Sequence, residues 1–231
     1  EEIDDRFIKS LEFGTAGLRG VIGAGTNRMN IYTVRQATQG LATYLREHFP
    51  APWRVAIGYD SRIKSDRFAK EAAGVFAAND IEVYLYPELV PTPMVSYAIR
   101  ALGCQSGVMV TASHNPAKYN GYKAYDPTGC QLGPEAAKAV LEVIGRTDIF
   151  EGVSTLPFDR ALAAGKVQMI PESLVDAYMH EVRKQALHGD VIARSVFRVV
   201  YTPLNGAGNK PVRRILQEVG VSTRKVTESF S

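Results

Sequence analysis

The chain has 231 residues, 45% of them apolar, with 27 Lys and Arg against 24 Asp and Glu for a net charge of +3. That is an ordinary globular composition, long enough for one large domain or two smaller ones; the basic residues are scattered, which argues against a nucleic-acid surface and leaves room for an acidic small molecule in a local basic pocket. No apolar run reaches the roughly 18 residues of a membrane span, and no signal peptide is visible.

In chain order, the first feature is glycine-rich. Phe13-Gly14-Thr15-Ala16-Gly17-Leu18-Arg19-Gly20 opens a segment with five glycines between residues 14 and 25. Glycine lets backbone N–H groups approach an anion closely, and Arg19 in that setting can fork two hydrogen bonds onto a phosphate. A tight loop with a surface arginine is the alternative. Ile31, Val34, Ala37, Leu41 and Leu45 recur at spacings of 3, 3, 4 and 4, the pattern of an amphipathic helix. Residues 54–59 read as a strand, ended by Gly58-Tyr59-Asp60-Ser61-Arg62. An N-cap followed by a solvated arginine accounts for that ending as well as a binding site does. Ser65 can cap a helix that buries Phe68, Ala72 and Phe76. Residues 81–86 are β-rich and stop at Pro87, Pro91 and Pro93; residues 94–102 form a short helix.

Residues 106–111 follow as a strand whose apolar core is broken by Thr111-Ala112-Ser113-His114-Asn115-Pro116. The place matters, because open α/β sheets put ligand chemistry at the C-terminal ends of their strands. Three readings stand: an acyl-transfer pair of Ser113 and His114, a polar loop, or a serine that carries a phosphoryl group. Against the first, neighbouring side chains of an extended segment point to opposite sides, and no Gly-x-Ser-x-Gly elbow is present. Tyr119-Asn120-Gly121-Tyr122-Lys123 then leads into an extended segment over 122–126, where Lys123 faces one side of the sheet by itself. It is a surface-edge lysine or a partnered one, since an unpaired charge in an apolar strand is costly.

Asp126-Pro127-Thr128-Gly129 suits a type I turn, and Pro134 suits the first position of a helix through residue 144. Residues 146–170 read as irregular, with one short helix and a strand near Val167. Pro171 opens a helix to about residue 187, stopped by His188-Gly189-Asp190. The pattern then restarts with a strand over 197–201, a turn over 204–209, a helix over 211–219 and a polar ending. Asn205-Gly206-Ala207-Gly208 lacks the third glycine and downstream acid of a dinucleotide fingerprint and reads as a tight βα turn. The alternation is that of an α/β protein. A βα unit with nothing after it cannot bury both faces. The expectation is therefore a first domain over residues 1–175 and the incomplete beginning of a second over 176–231, the N-terminal portion of a longer chain. Cys104 and Cys130 lack metal-ligand spacing and a disulfide framework, which points to inert thiols in a reducing compartment and a cytoplasmic location.

Taken together, residues 13–20, 58–62, 111–116, 119–125 and 201–209 resemble, in the same order, the motifs of the α-D-phosphohexomutase superfamily. The Ala16-Gly17-Leu18 and Tyr119-Asn120-Gly121-Tyr122-Lys123 versions are similar to its phosphoglucomutase and phosphopentomutase branch. The resemblance implies a three-layer α/β/α domain with a mixed sheet, followed by the start of a similar one. It also implies a mutase that interconverts hexose 1-phosphate and hexose 6-phosphate, with glucose the expected sugar and mannose or pentose phosphates the alternatives. Ser113 would carry the phosphoryl group and act as a ligand of Mg²⁺, with a glucose 1,6-bisphosphate-type activator. Lys123 would be the general acid/base, Arg19 and His114 would assist the transfer, and Asn115 and Arg62 would meet substrate. The family's Asp-Gly-Asp-Gly-Asp metal loop is absent from residues 1–231, so turnover by these residues alone is not expected. The partner class is a sugar phosphate, not nucleic acid or membrane. A non-catalytic sugar-phosphate binding protein is the competing class, and retention of Ser113, Arg19 and Lys123 together argues against it.

Overall fold

The computed structural model describes residues 2–14, 17–195 and 199–221. The chain divides into two compact units, Glu1–Ile170 and Pro171–Ser231.

The first unit begins with α1 (Glu2–Phe7), β1 (Leu18–Val21), α2 (Ile31–His48), β2 (Arg54–Tyr59), α3 (Ser65–Ala78), β3 (Glu82–Leu85) and α4 (Thr92–Ala101). It continues with β4 (Ser106–Val110), β5 (Tyr119–Tyr125), α5 (Pro134–Arg146), α6 (Phe158–Ala163) and β6 (Val167–Met169). The six strands form one mixed sheet in the order β1-β5-β4-β2-β3-β6. Strands β4, β2, β3 and β6 are parallel to one another, and β5 is antiparallel to both β4 and β1. Parallel neighbours require crossover connections, whereas antiparallel ones need only a loop. The residues between β4 and β5 are therefore free of helix, and that loop is the serine segment.

The two-residue period of the strands divides the core. Val55 and Ile57, Val108 and Val110, Tyr122 and Ala124 turn to the face covered by α2 and α3, where they join Val34, Leu41, Phe68 and Phe76. The alternate face of β2 and β4 carries α4. Each large side chain fully buried in this way contributes about 1.5–3 kcal/mol. Helix α2 starts where a reciprocal cap stops the preceding chain: Asn30 Oδ1 accepts from the amides of Tyr32 and Thr33 at 3.0 and 3.1 Å, and Thr33 Oγ1 accepts from the Asn30 amide at 3.1 Å. Such a cap stabilises by about 1 kcal/mol. The apolar stripe expected from the sequence, Val34, Ala37, Leu41 and Leu45, is buried along it.

Most predicted elements are present, and the differences have local causes. Helix α4 begins at Thr92, two residues earlier than expected, because Pro93 fits the first turn and does not block it. Residues 18–21 form a strand inside the glycine-rich segment. Its ladder is supplied by β5, with Leu18 opposite Tyr122 and Arg19 opposite Gly121, so nothing local announces it. In the second unit, α7 (Glu172–Lys184), α8 (Gly189–Arg194) and α9 (Asn209–Glu218) are formed. Arg214 of α9 pairs with Asp176 of α7 at 2.7 Å and with Glu218 at 2.8 Å. The segment expected to end a helix at His188-Gly189-Asp190 instead starts α8. Of the strand expected over 197–201, residues 197 and 198 lie outside the described residues, and 199–201 are not strand.

Candidate functional site

Ser113 lies just past the C-terminal end of β4, exposed, in a backbone conformation that non-glycine residues avoid, with φ 57°. The left-handed region costs roughly 1–2 kcal/mol for such a residue, so something must hold it there. Two sets of bonds do. The Ser113 amide donates to Thr111 Oγ1 at 2.9 Å, and Thr111 Oγ1 donates in turn to Asp60 Oδ2 at 2.6 Å. From the other side, Arg62 donates to four loop carbonyls: Ser113 and Asn115 at 2.6 Å each through Nη2, Pro116 and Tyr119 at 3.1 Å each through Nη1.

Asp60 is the hinge of both sets. Its Oδ1 accepts from the Arg62 amide at 3.0 Å and from Ser65 Oγ at 2.9 Å, and its Oδ2 lies 3.5 Å from Arg62 Nε. Both side chains of this pair are only 13% exposed. The carboxylate is fully bonded, whereas Arg62 Nε is buried without a hydrogen-bond partner, so the guanidinium is held by its four Nη bonds and by the enclosed charge of Asp60. Arg62, expected to meet substrate, thus directs its guanidinium at the loop backbone. Asn120 extends the network, donating to Ser65 Oγ at 3.0 Å and to the Ile63 carbonyl at 3.0 Å.

The strand pairing brings the cations to the same place. Arg19 stands opposite Gly121 in the β1–β5 ladder, and Lys123 is two residues further along β5, so both side chains emerge on one face. Lys123 Nζ lies 3.5 Å from Ser113 Oγ, and Arg19 Nη1 donates to Asn115 Oδ1 at 3.3 Å. Burial first, and the nearby Arg19 charge second, hold the Lys123 ammonium below the usual lysine range, with Asp60 partly opposing. Gly17 lets β1 come in this closely. A Cβ there would stand 1.8 Å from the Tyr122 carbonyl oxygen, and its φ of +76° suits glycine alone. His114 is exposed beside Ser113 and makes no hydrogen bond or ion pair with the described residues.

The arrangement is a serine-bearing loop beside a lysine of depressed basicity and an arginine, a set suited to an anion held at Ser113. Among the described residues no three His, Cys, Asp or Glu side chains converge, and both oxygens of Asp60 are taken. These residues fit a magnesium ion only through Ser113, short of a coordination shell. A cleft of about 680 Å³ lies elsewhere in the first unit, lined by Ile22, Met29, Tyr32, Phe68 and Phe150 with Lys64 and Arg67, and shares no residue with the serine loop. Its lining is mainly apolar, with the two cations among the polar side chains, and Ser113 and Lys123 are not part of it. The sequence marked both segments, Gly58–Arg62 and Thr111–Pro116, at strand C-terminal ends, but assigned no role to Asp60 or Thr111 within them.

Residues 10–149 match the family model described as phosphoglucomutase/phosphomannomutase, alpha/beta/alpha domain I. A phosphoribomutase of Saccharomyces cerevisiae is 40% identical over 90% of this chain and 35% of its own length. A phosphoglucomutase of Staphylococcus saprophyticus is 36% identical over 95% of this chain and 39% of its own. A solved structure from Thermus thermophilus, provisionally assigned as a phosphomannomutase, superposes with a TM-score of 0.77 at 29% identity, covering 93% of this chain and 44% of that one. The chain therefore spans less than half the length of these relatives. With the serine loop, its lysine and the mixed sheet all in place, the chain belongs to the phosphoglucomutase/phosphomannomutase family.

Proposed function

We propose that this chain carries the phosphoserine half of a sugar-phosphate mutase, with Ser113 as the residue phosphorylated and glucose phosphate as the substrate. The observation that carries the reading is the 3.5 Å separation of Lys123 Nζ and Ser113 Oγ on a loop pinned at four carbonyls.

With Ser113 phosphorylated, a hydroxyl of the bound sugar monophosphate attacks phosphorus. The Ser113 Oγ–P bond breaks, the sugar O–P bond forms, and the hydroxyl proton passes to neutral Lys123. The bisphosphorylated sugar then turns over, and its other phosphate returns to Ser113 Oγ, with protonated Lys123 supplying the proton to the departing sugar oxygen. Phosphoryl transfer is chiefly positioning and charge stabilisation. A phosphoserine brings about −1.5 to −2 charges, which Arg19 offsets throughout and Lys123 once it has taken the proton. His114, exposed next to the nucleophile, is the group that would meet the incoming phosphate, and Asn115, held by Arg19, shapes the loop. Mg²⁺ in this reading neutralises phosphate charge when bound. A cytoplasmic setting and a bisphosphate activator belong to the same proposal.

A pentose phosphate is the second reading, favoured by the 40% identity to a phosphoribomutase. The test is direct. The protein incubated with glucose 1,6-bisphosphate is expected to gain one phosphate on Ser113, seen by peptide mass, and Ser113→Ala is expected to gain none. Phosphate on another residue, or none on the unmodified protein with either a hexose or a pentose bisphosphate, would overturn the reading.

A further inference from the structure

We propose that Arg62 is a positioning residue for Ser113: the Asp60–Arg62 pair sets the left-handed backbone of Ser113 and thereby aims its Oγ at Lys123. The consequence for turnover rests on the mutase reading; the consequence for loop structure does not.

The inference comes from what the guanidinium touches. The carbonyls of Ser113, Asn115, Pro116 and Tyr119 all turn toward one group. Carbonyls of an extended chain point alternately to opposite sides, so gathering four of them requires the chain to curl around the donor. Within that curl, Ser113 takes φ 57° and places its Oγ 3.5 Å from Lys123 Nζ. Asp60 accepts from the Arg62 amide, stands 3.5 Å from its guanidinium as the opposite charge, and also holds Thr111 and through it the Ser113 amide. One carboxylate therefore controls both the amide and the carbonyl of the nucleophile's residue. Asp60 and Ser65 place this control at the start of α3, so the loop inherits the rigidity of the core helix beneath it.

Only an arginine fits this task. A lysine keeps the charge but offers one compact ammonium with three donors, which cannot span carbonyls on both sides of the fork. A role in drawing anionic substrate would survive Arg62→Lys; a role in shaping the loop would not. Misplacement of a reacting group by about 1 Å costs on the order of 10²-fold in rate.

The experiment compares Arg62→Lys and Thr111→Val with the unmodified enzyme, reading amide hydrogen exchange over residues 112–119 together with kcat and KM. Thr111→Val cuts the second branch while keeping side-chain volume, so one variant remains if the other folds poorly. Expected for both are faster exchange in the loop, unchanged exchange in β4 and β5, and a kcat at least about tenfold lower with KM within about threefold. Unchanged loop exchange in Arg62→Lys, or full kcat with that lysine, would overturn the proposal. A failure of Ser113 to take phosphate in the unmodified protein would refute the mutase reading, and loop exchange alone would then decide the positioning role.

Discussion

Gly121 of β5 passes so close to Thr111 that a Cβ on it would stand 2.5 Å from the Thr111 carbonyl oxygen and 2.8 Å from that of Leu18. The Thr111 amide in turn donates to the Gly121 carbonyl at 3.0 Å. This contact closes the serine loop at its base, and the missing Cβ leaves room for the Thr111 and Leu18 carbonyls on either side of β5. Gly121→Ala is therefore expected to force the strands apart and to cost about 1–3 kcal/mol, the range for overpacked sites. Urea denaturation of the variant checks this, and a change below about 0.5 kcal/mol would show that the strands yield without strain.

Ser113→Ala removes an exposed hydroxyl and no core volume. Turnover by the proposed mutase is expected to vanish, while the thermal midpoint moves by no more than a degree or two. More than a few per cent of residual activity, with bisphosphate supplied, would rule out a phosphoserine relay.

Lys123→Met removes the partly buried ammonium beside Ser113. A general acid/base typically contributes 10²–10⁴-fold, so kcat is expected to fall by that range with little change in KM. A raised KM at unchanged kcat would make Lys123 a simple binding cation.

The pH dependence follows from the same residue. The folded state holds Lys123 below the usual lysine value of about 10.4. Between its folded value and that of the unfolded chain, the unfolded state binds more protons, so stability rises with pH across that window. Below the folded value the cost of the enclosed charge is fully present. Lys123→Met is expected to flatten this alkaline gain in thermal midpoint, and a gain that persists in the variant would assign it to another group.

Cys104 and Cys130 should differ in reactivity. Burial pushes the Cys104 thiol up to about 12, whereas Cys130 is exposed in the turn after β5. The thiolate is the reactive form, so brief treatment of the folded protein with iodoacetamide is expected to label Cys130 and spare Cys104. Peptide mapping that finds equal labelling would contradict the burial of Cys104.

What the sequence by itself determined was local. The stripe of Val34, Ala37, Leu41 and Leu45, the proline and glycine punctuation, and the apolar run before Ser113 each depend on periods and turn chemistry within a few residues. They located α2 and β4, placed Ser113 at a strand's C-terminal end, and set Lys123 apart on its strand. Tertiary structure decided the rest. Strand β1 exists because β5 supplies its hydrogen bonds, and Arg19 reaches Asn115 across 96 positions of chain. Arg62 reads in sequence as a solvated charge or a substrate contact. Its partners are carbonyls 51 to 57 residues away, and backbone oxygens carry no residue-type signature. The division is physical: side-chain type reports its own burial and conformational preference, whereas a hydrogen bond between distant loops is specified only once the sheet has brought those loops together.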